Sequence, residues 1–205
     1  MRVKGYRGSL TTEHFLLMEM PTRFWKVKFQ EIAPGLREVI REYLHNLNEM
    51  LDRGDGLLLW GENGRGKTSA CCYVAKEVRR TGASVLVLTA ARLLESELEA
   101  TKGIGPSFMD RARSVDFLVL DDLGKEHKGK TEWSERLLES LLRERSGARL
   151  TTFITANMGP EGLRKQYKLS MLEVLKETTY PVLVEGDNRR DLAMVDLGQR
   201  IGLAS

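Results

Sequence analysis

Residues 61 to 68 of this chain read Gly61-Glu62-Asn63-Gly64-Arg65-Gly66-Lys67-Thr68. This octapeptide fits the pattern G-x-x-x-x-G-K-[ST], and the residues around it fit the same motif. The apolar run 57–60 precedes it and predicts a buried strand, and residues 68–80 follow it and predict a helix. A strand, a glycine-rich loop and a helix in this order predict a phosphate-binding P-loop.

Each residue type in the loop has a physical role in holding a nucleotide. The glycines let backbone N–H groups turn inward around a β-phosphate, and the helix that starts near Lys67 adds the positive end of its dipole. We expect Lys67 to reach the β- and γ-phosphates and the Thr68 hydroxyl to coordinate Mg²⁺. The alternative is a glycine-rich turn between a strand and a helix that holds no ligand.

A second, acidic element follows further along the chain. Residues 115–122 form an apolar run that ends in Asp121 and Asp122 and predicts a strand. A buried strand of an open α/β sheet presents such residues at its carboxyl end, where ligands bind. We expect Asp121 to hold Mg²⁺ through water and Asp122 to orient or deprotonate the attacking water. The alternative is an acidic pair that only ends the strand.

A polar residue also follows the fourth predicted strand. Residues 150–155 are rich in β-formers and lead into Asn157. If this strand lies between the P-loop strand and the acidic strand, Asn157 faces the γ-phosphate and its attacking water and senses that phosphate. Asparagine is also a common turn former after a strand, so a plain turn is the alternative interpretation.

The bulk composition is that of a globular protein. The chain has 205 residues, of which 41% are hydrophobic and 30% charged, which corresponds to one domain of ordinary size. No apolar run in the sequence approaches the ~20 residues of a membrane span, and no secretory signal opens it. The two cysteines, Cys71 and Cys72, are adjacent and do not make a disulfide framework. We therefore expect a cytoplasmic protein with no membrane partner.

The net charge of +3 is too small to indicate a nucleic-acid partner by itself. Basic residues cluster in two places, before residue 30 and just after the acidic strand. They are Arg2, Lys4, Arg7, Arg23, Lys26 and Lys28 in the first cluster, and Lys125, His127, Lys128 and Lys130 in the second. Either cluster could contact a phosphate backbone, and a solvated surface is the alternative.

The remaining predicted elements alternate between helix and strand. Apolar residues at helical spacing predict one amphipathic helix over 36–51, and further helices over 90–100, 108–113, 133–145 and 158–177. Apolar runs predict two more strands, at 84–89 and 182–184. Five strands alternating with helices indicate a mainly parallel, right-handed α/β sandwich. Phe24 and Trp25 are candidates either for a base pocket or for the core.

These motifs, in their order and spacing, resemble helicase loaders of the DnaC/DnaI type. Those are AAA+ ATPases related to the initiator DnaA and to the transposition ATPase IstB. The resemblance rests on the P-loop and on residues 120–126, 131–133 and 152–157. Residues 186–190 also resemble the closing segment of that family, so the resemblance covers roughly residues 21 to 191.

The resemblance implies a P-loop AAA+ (ASCE) fold, a three-layer sandwich with a five-stranded, mainly parallel sheet in the order 5-1-4-3-2. It implies binding of ATP with Mg²⁺, hydrolysis to ADP and phosphate, and ATP-dependent assembly of neighbouring copies. It also implies delivery of a ring-shaped replicative helicase of the DnaB type onto single-stranded DNA. Lys102, Arg111 and Arg113 would then be the phosphate partners in the DNA-contacting region 91–113.

The chain departs from the family pattern at its N-terminal end. The loaders usually carry a helicase-docking domain, whereas about twenty residues precede the resemblance here. We expect residues 21–205 to form one AAA+ ATPase domain and residues 1–20 to be a short extension that docks a partner. The docking residues would be Tyr6, Phe15, Leu16, Leu17 and Met18. The alternatives are that the AAA+ surface itself engages the partner, or that the docking domain is missing from this sequence.

A second departure concerns the arginine finger, which the family places in the helix before the last strand. Counting back from Gly186, this position falls on Val174, which predicts slow hydrolysis or a substitute such as Arg164 or Arg145. Arg190, next to Arg189, is expected to contact phosphate from the closing segment.

The leading hypothesis is a minimal helicase loader whose contacts with its partner and DNA are switched by ATP binding and hydrolysis. One alternative is an IstB-like transposition ATPase that acts on duplex DNA. The other is a nucleotide-gated adaptor that binds ATP, hydrolyses it negligibly and works as a protein clamp, which the missing finger favours.

Overall fold

Five parallel strands form one sheet in the computed structural model, which describes residues 8–125, 132–186 and 188. The strands are β1 (Gly56–Trp60), β2 (Val85–Thr89), β3 (Phe117–Leu123), β4 (Thr151–Ala156) and β5 (Thr179–Leu183). Their spatial order is β2-β3-β4-β1-β5, and every neighbouring pair is parallel. This confirms the predicted order 5-1-4-3-2 of the AAA+ fold.

Helices cover both faces of the sheet. In the described part of the chain they are α1 (Thr12–Leu17), α2 (Pro34–His45), α3 (Leu47–Arg53), α4 (Lys67–Arg80), α5 (Ala90–Thr101), α6 (Met109–Ser114), α7 (Glu132–Gly147), α8 (Pro160–Gln166) and α9 (Leu169–Thr178). Two short 3₁₀ turns, Thr22–Phe24 and Phe29–Glu31, lie between α1 and α2. None of these helices is long and apolar enough to cross a membrane.

Side chains along the strands alternate between two apolar cores, one on each face of the sheet. The core shared with α2 and α4 includes Leu57, Leu59, Phe117, Val119 and Phe153. The core shared with α5, α6, α7 and α9 includes Leu58, Leu118, Leu120 and Ile154. Central strands buried on both faces read as unbroken apolar runs, which is why the sequence marks them clearly.

Two predicted helices are each divided in the structure. The single helix over 36–51 is α2 followed by α3, because Asn46 leaves the helical conformation (φ −101°, ψ 20°) between them. The segment over 158–177 is α8 followed by α9. Tyr167 and Lys168 between them are extended, and the Lys168 backbone N–H donates to the Glu135 side chain on α7. Apolar spacing alone does not reveal either break, since both halves share one buried face.

The last strand starts earlier than predicted. β5 begins at Thr179, three residues before the predicted 182–184, and it lies at the edge of the described sheet. An edge strand keeps exposed residues such as Tyr180, so it lacks the apolar run of a central strand. The Val184 N–H donates to the Trp60 carbonyl, 2.8 Å away. Because backbone N–H groups alternate sides along a strand, the Pro181 nitrogen faces the open edge, where no hydrogen bond is lost.

The segment before α2 packs against the sheet and α4. Met18 and Met20 are buried in the α2–α4 core, and the Val87 N–H of β2 donates to the Met18 carbonyl at 2.8 Å. The ammonium of Lys76 on α4, a residue only 5% exposed, donates to the carbonyls of Val27 and Trp25. These bonds hold residues 25–27 against α4.

Candidate active site

The predicted site residues meet at the carboxyl ends of β1, β3 and β4. The P-loop joins β1 to α4, and Gly66 in a left-handed conformation (φ 88°) precedes the first turn of the helix. Gly61 also has a positive φ of 140°, and a Cβ there would lie 2.6 Å from the Val184 carbonyl oxygen. Glycine is therefore required at both positions for the loop to turn beside β5.

Lys67 is held inside the loop by three acceptors. Its side chain is only 6% exposed, and Nζ donates to the carbonyl oxygens of Gly61 and Glu62, each at 2.7 Å. A third bond, of 2.9 Å, goes to Asn157 Oδ1 at the end of β4. The structure thus brings together two residues that are 90 positions apart in sequence, as the sheet order predicted. These acceptors hold the ammonium where a phosphate would compete for it.

Thr68 and Asp121 form an adjacent pair of hard oxygen ligands. The Thr68 hydroxyl donates to Asp121 Oδ1 at 2.8 Å, and the Thr155 hydroxyl donates to the same oxygen at 2.6 Å. Burial raises the pKa of the Asp121 carboxyl, while the two hydroxyl bonds lower it. Mg²⁺ is commonly bound through one or two protein oxygens plus phosphates and water, so this pair fits a magnesium ion that arrives with a nucleotide. The described residues contain no cluster of three ligands that would hold a metal by themselves.

Asp122 is turned toward Asn157 by an irregularity in β3. Its φ is +57°, and the β3–β4 register shifts between Leu120 and Leu123. The Asp122 N–H donates to Thr155 Oγ1 at 2.9 Å, which supports this left-handed backbone. The Asn157 amide nitrogen then donates to Asp122 Oδ1 at 3.1 Å. Asn157 therefore bridges Lys67 and Asp122, and a group bound at the lysine would contact both.

A cavity of about 440 Å³ opens above these residues. Its lining joins Asn63, Gly64, Gly66, Lys67, Thr68, Ser69, Asp121, Asp122 and Asn157 to Arg23, Phe24, Val27 and Glu31. The Arg23 guanidinium lies over the Phe24 ring, 4.6 Å from its centre. The size is within the usual range for small-molecule sites.

Of the two aromatic candidates for a base pocket, only Phe24 lines the cavity. Trp25 stacks on Phe15 at 5.0 Å, and its indole N–H donates to the Met20 carbonyl at 2.8 Å. Trp25 therefore belongs to the packing of the N-terminal segment. Arg23, Val27 and Glu31 were missed by sequence reasoning, because nothing local to them signals that they fold beside a loop some forty residues later.

The side chains of Glu62 and Arg65 point away from this cavity. Arg65 donates to the Gly186 carbonyl and pairs with the Glu62 carboxylate, which is 77% exposed. Only the backbone of these two residues is available to a nucleotide in the cavity. The closing segment approaches the loop at Asn188, whose side chain lies against Gly64. Arg189 and Arg190 lie outside the described residues.

Two of the three positions considered for an arginine finger, Val174 and Arg145, are buried. Val174 is fully buried in the core under α9, so the position counted from Gly186 cannot reach a neighbouring copy. Arg145 is also fully buried and is not a substitute. Its guanidinium donates to the carbonyls of Ala112, Val115 and Thr151 and to Thr152 Oγ1. Burial lowers the pKa of Arg145 to about 9, so it remains cationic at neutral pH.

Of the remaining predicted residues, some are exposed and others form ion pairs within the chain. Arg164 on α8 and Lys102 after α5 are exposed. Arg111 donates to the Leu17 carbonyl and pairs with Glu19, and Arg113 pairs with Asp110 and Glu144. Two of the three predicted DNA-contacting cations thus have intramolecular acidic partners.

The two cysteines lie behind the P-loop, on α4. Cys71 and Cys72 are completely buried in the α2–α4 core. Burial raises the pKa of both thiols, so they are protonated and unreactive at neutral pH.

Comparison with known proteins identifies the relatives of this chain. A family model described as IstB-like ATP binding protein matches residues 27–171. The chain is 24% identical over 165 residues to the replicative helicase loader DnaI of Bacillus subtilis (strain 168), covering 74% of this chain and 52% of the relative. It is 25% identical over 108 residues to the replicative helicase loader DnaC of Escherichia coli (strain K12), covering 51% of this chain and 43% of the relative.

A solved structure supports the same fold. The crystal structure of DnaI matches with a TM-score of 0.69 and 23% sequence identity, covering 87% of this chain and 100% of that chain. These matches confirm the resemblance to DnaC/DnaI-type proteins and the AAA+ P-loop fold. The chain spans about half the length of the two helicase loaders with which it was compared in sequence.

Proposed function

This chain belongs to the IstB-like ATP binding protein family, and from that premise we propose that it is an ATPase that loads a replicative helicase onto single-stranded DNA. One observation carries the enzymatic part of the proposal. Asn157 joins the P-loop lysine to Asp122, with bonds of 2.9 and 3.1 Å, in the same cavity where Thr68 meets Asp121. Phosphoryl transfer to water needs a cation at the phosphates, ligands for magnesium and a carboxylate that orients the attacking water.

In the proposed reaction the P-loop N–H groups and Lys67 bind the β- and γ-phosphates of ATP. Thr68 and Asp121 would hold Mg²⁺, which would supply positive charge to offset that of the phosphates. Asp122 and Asn157 orient the attacking water, and Asp122 accepts its proton. Lys67 exchanges its carbonyl acceptors for phosphate oxygens as the nucleotide enters. Phe24 and Arg23 contact the base side of ATP.

The partner assignment is supported by the printed names of the relatives. DnaI of Bacillus subtilis and DnaC of Escherichia coli are both named replicative helicase loaders. We assign this chain a DnaB-type replicative helicase as partner, and single-stranded DNA as the strand it delivers. The proposed docking element is the segment 1–20. On α1, Leu16 and Leu17 are 61% and 55% exposed, whereas Met18 is buried.

Assembly of copies around ATP is the second part of the proposal. Arg164 is the exposed arginine that we assign as the finger reaching a neighbouring copy, in place of the buried Val174 and Arg145. Such a finger acts only in an assembly, so an isolated copy hydrolyses ATP slowly. This chemistry suits a cytoplasmic replication protein.

The first test is steady-state ATP turnover without DNA, with single-stranded DNA and with duplex DNA, each with and without a DnaB-type helicase. We expect stimulation by single strands and by the helicase. Stimulation by duplex alone would instead support a transposition ATPase, which the IstB-like family description also accommodates. ATP binding without turnover in any mixture would support a nucleotide-gated adaptor.

A further inference from the structure

A second ammonium group lies at the mouth of the cavity. Lys125 Nζ is 3.0 Å from Asp122 Oδ1 and 3.3 Å from Asn63 Oδ1. Asn63 belongs to the P-loop and Asp122 to the end of β3, and both line the cavity. Lys125 therefore connects the two chain segments between which a terminal phosphate would lie, although it does not line the cavity itself.

The backbone fixes Lys125 in this place. Residues 122–125 form a turn in which the Lys125 N–H donates to the Asp122 carbonyl at 3.1 Å. Two residues of the turn, Asp122 and Gly124, have positive φ values of 57° and 95°. The Gln166 side chain donates to the Gly124 carbonyl at 2.9 Å and secures the turn from α8. The turn thus places the Lys125 backbone beside Asp122, with the ammonium within reach of that carboxylate.

The charges around the cavity show why such a cation is needed. Among the described residues that line it, the carboxylates are Glu31, Asp121 and Asp122, and the cations are Arg23 and Lys67. A site with more carboxylates than cations disfavours an anion unless some of the carboxylates are offset. The charge of Asp121 would be offset by a magnesium ion that enters with a nucleotide.

Asp122 lies where its charge matters most. Asn157 links its carboxylate to Lys67, so a γ-phosphate held by that lysine has Asp122 as a nearby like charge. The Lys125 ammonium is the cation bonded to that same Asp122 oxygen. A nucleoside diphosphate ends one phosphate earlier and stays further from Asp122.

We propose that Lys125 offsets the charge of Asp122 and thereby lets the cavity prefer a nucleoside triphosphate over a diphosphate. Lys125 is a positioning residue that acts through Asp122, and its role rests on the proposed nucleotide-binding function of the same site. When a triphosphate is bound, the ammonium offsets the charge of the Asp122 carboxylate, which stays directed at Asn157. Without it, the carboxylate repels the terminal phosphate.

The test measures dissociation constants for ATP and for ADP, with Mg²⁺, by titration calorimetry on the full chain. For Lys125→Met we expect ATP binding to weaken about five- to tenfold while ADP binding changes less than about twofold, as for loss of one charge contact. Lys125→Arg keeps the charge and should retain most of the preference for ATP. The matched control is Lys176→Met. Lys176 is an exposed lysine on α9 near the amino ends of β1 and β5, whereas the cavity lies at the carboxyl ends of the strands. This substitution should change neither constant.

A double-mutant cycle separates this role from a structural one. In an Asp122→Asn background the carboxylate is already neutral, so Lys125→Met should no longer weaken ATP binding selectively. An undiminished loss in that background, or equal weakening of ATP and ADP, would overturn the inference. Unchanged preference for ATP in Lys125→Met would overturn it while leaving the ATPase proposal intact. Failure of the wild-type chain to bind either nucleotide would overturn both.

Discussion

The two ends of α4 each bury a lysine, and the two lysines do different things. Lys67 in the first turn is 6% exposed and Lys76 near the last turn is 5% exposed. Both donate to backbone carbonyls that precede them in the chain. Lys67 and its acceptor Asn157 line the cavity of about 440 Å³, and its acceptors Gly61 and Glu62 line a second cavity of about 420 Å³. Lys76 lines neither cavity, and its acceptors Trp25 and Val27 belong to the N-terminal segment, of which Val27 borders the first cavity.

The difference shows that burial and hydrogen bonding do not by themselves identify a binding residue. What lies beyond the acceptors decides the role. In the cavity, the bonds of Lys67 can be exchanged for bonds to phosphate, and water can take over the carbonyls. At Lys76, burial lowers the pKa of the ammonium, and removing it leaves the Val27 carbonyl, whose bond to Lys76 is buried, without its donor.

The largest effect expected from this comparison is on turnover. Lys67→Met should lower ATP turnover by about 10²–10³-fold, because it removes a preorganised cation from the transition state. The melting temperature of the nucleotide-free protein should change little, since cavity water replaces the ammonium at Gly61 and Glu62. Turnover assays and thermal melts on the same sample check both statements. Normal turnover in this variant would place the active site elsewhere.

At Lys76, near the other end of α4, we expect a substitution to lower stability and to leave turnover almost unchanged. Lys76→Met should lower the free energy of unfolding by about 1–2 kcal/mol, because the Val27 carbonyl loses its buried donor. At temperatures where the variant is folded, kcat should stay near the wild-type value. Urea denaturation measures the stability, with the exposed Lys102→Met as matched control. A variant as stable as the wild type would show that Lys76 does not fix the segment.

The smallest expected effect is a gain in stability, in contrast to the loss expected for Lys76→Met. Burial raises the pKa of Asp121 above the usual 3.8, so the folded state holds the proton more tightly than the unfolded state. The protonated Asp121 carboxyl contributes its full stabilisation of the folded state below pH 3.8. This contribution is lost as the pH rises through the folded-state pKa of Asp121. At pH 7 Asp121→Asn should therefore raise the melting temperature of the nucleotide-free protein by about 1–2 °C.

This gain should shrink as the pH is lowered toward 4, because the wild-type carboxyl is then protonated too. The same variant should lose the Mg²⁺ dependence of ATP binding. Thermal melts across this pH range, without nucleotide, make the comparison. A lower melting temperature at pH 7 would show that the hydroxyl bonds from Thr68 and Thr155 stabilise the ionised form more than burial destabilises it.

The parts of the fold that sequence predicted well are those with a local pattern. The strands that end at Trp60 and Asp122 are apolar runs with polar residues at their ends, and the P-loop joins directly to its helix. The position of Asn157 between them depends on sheet order, which the family resemblance supplied. The bonds from Asn157 to Lys67 and Asp122 agree with that order.

The parts that sequence did not reveal depend on contacts between distant segments. Arg145 has the sequence surroundings of a surface arginine, yet α6 and β4 enclose it with four acceptors. In the sequence Lys125 belongs to a basic cluster, and its contact with Asn63 follows from the left-handed turn at Asp122, which the sequence does not show. Counting residues from Gly186 points to Val174, but it does not show that this position lies on the buried face of α9.

The proline in β5 has a consequence for how copies of this chain can meet. A free strand edge invites another strand to extend the sheet, which makes a contact that is hard to undo. With the Pro181 nitrogen at that edge, β5 offers an interrupted row of donors to an incoming strand. In the proposed assembly we therefore expect copies that meet at β5 to contact each other through side chains and not by extending the sheet there, and such contacts are more easily released.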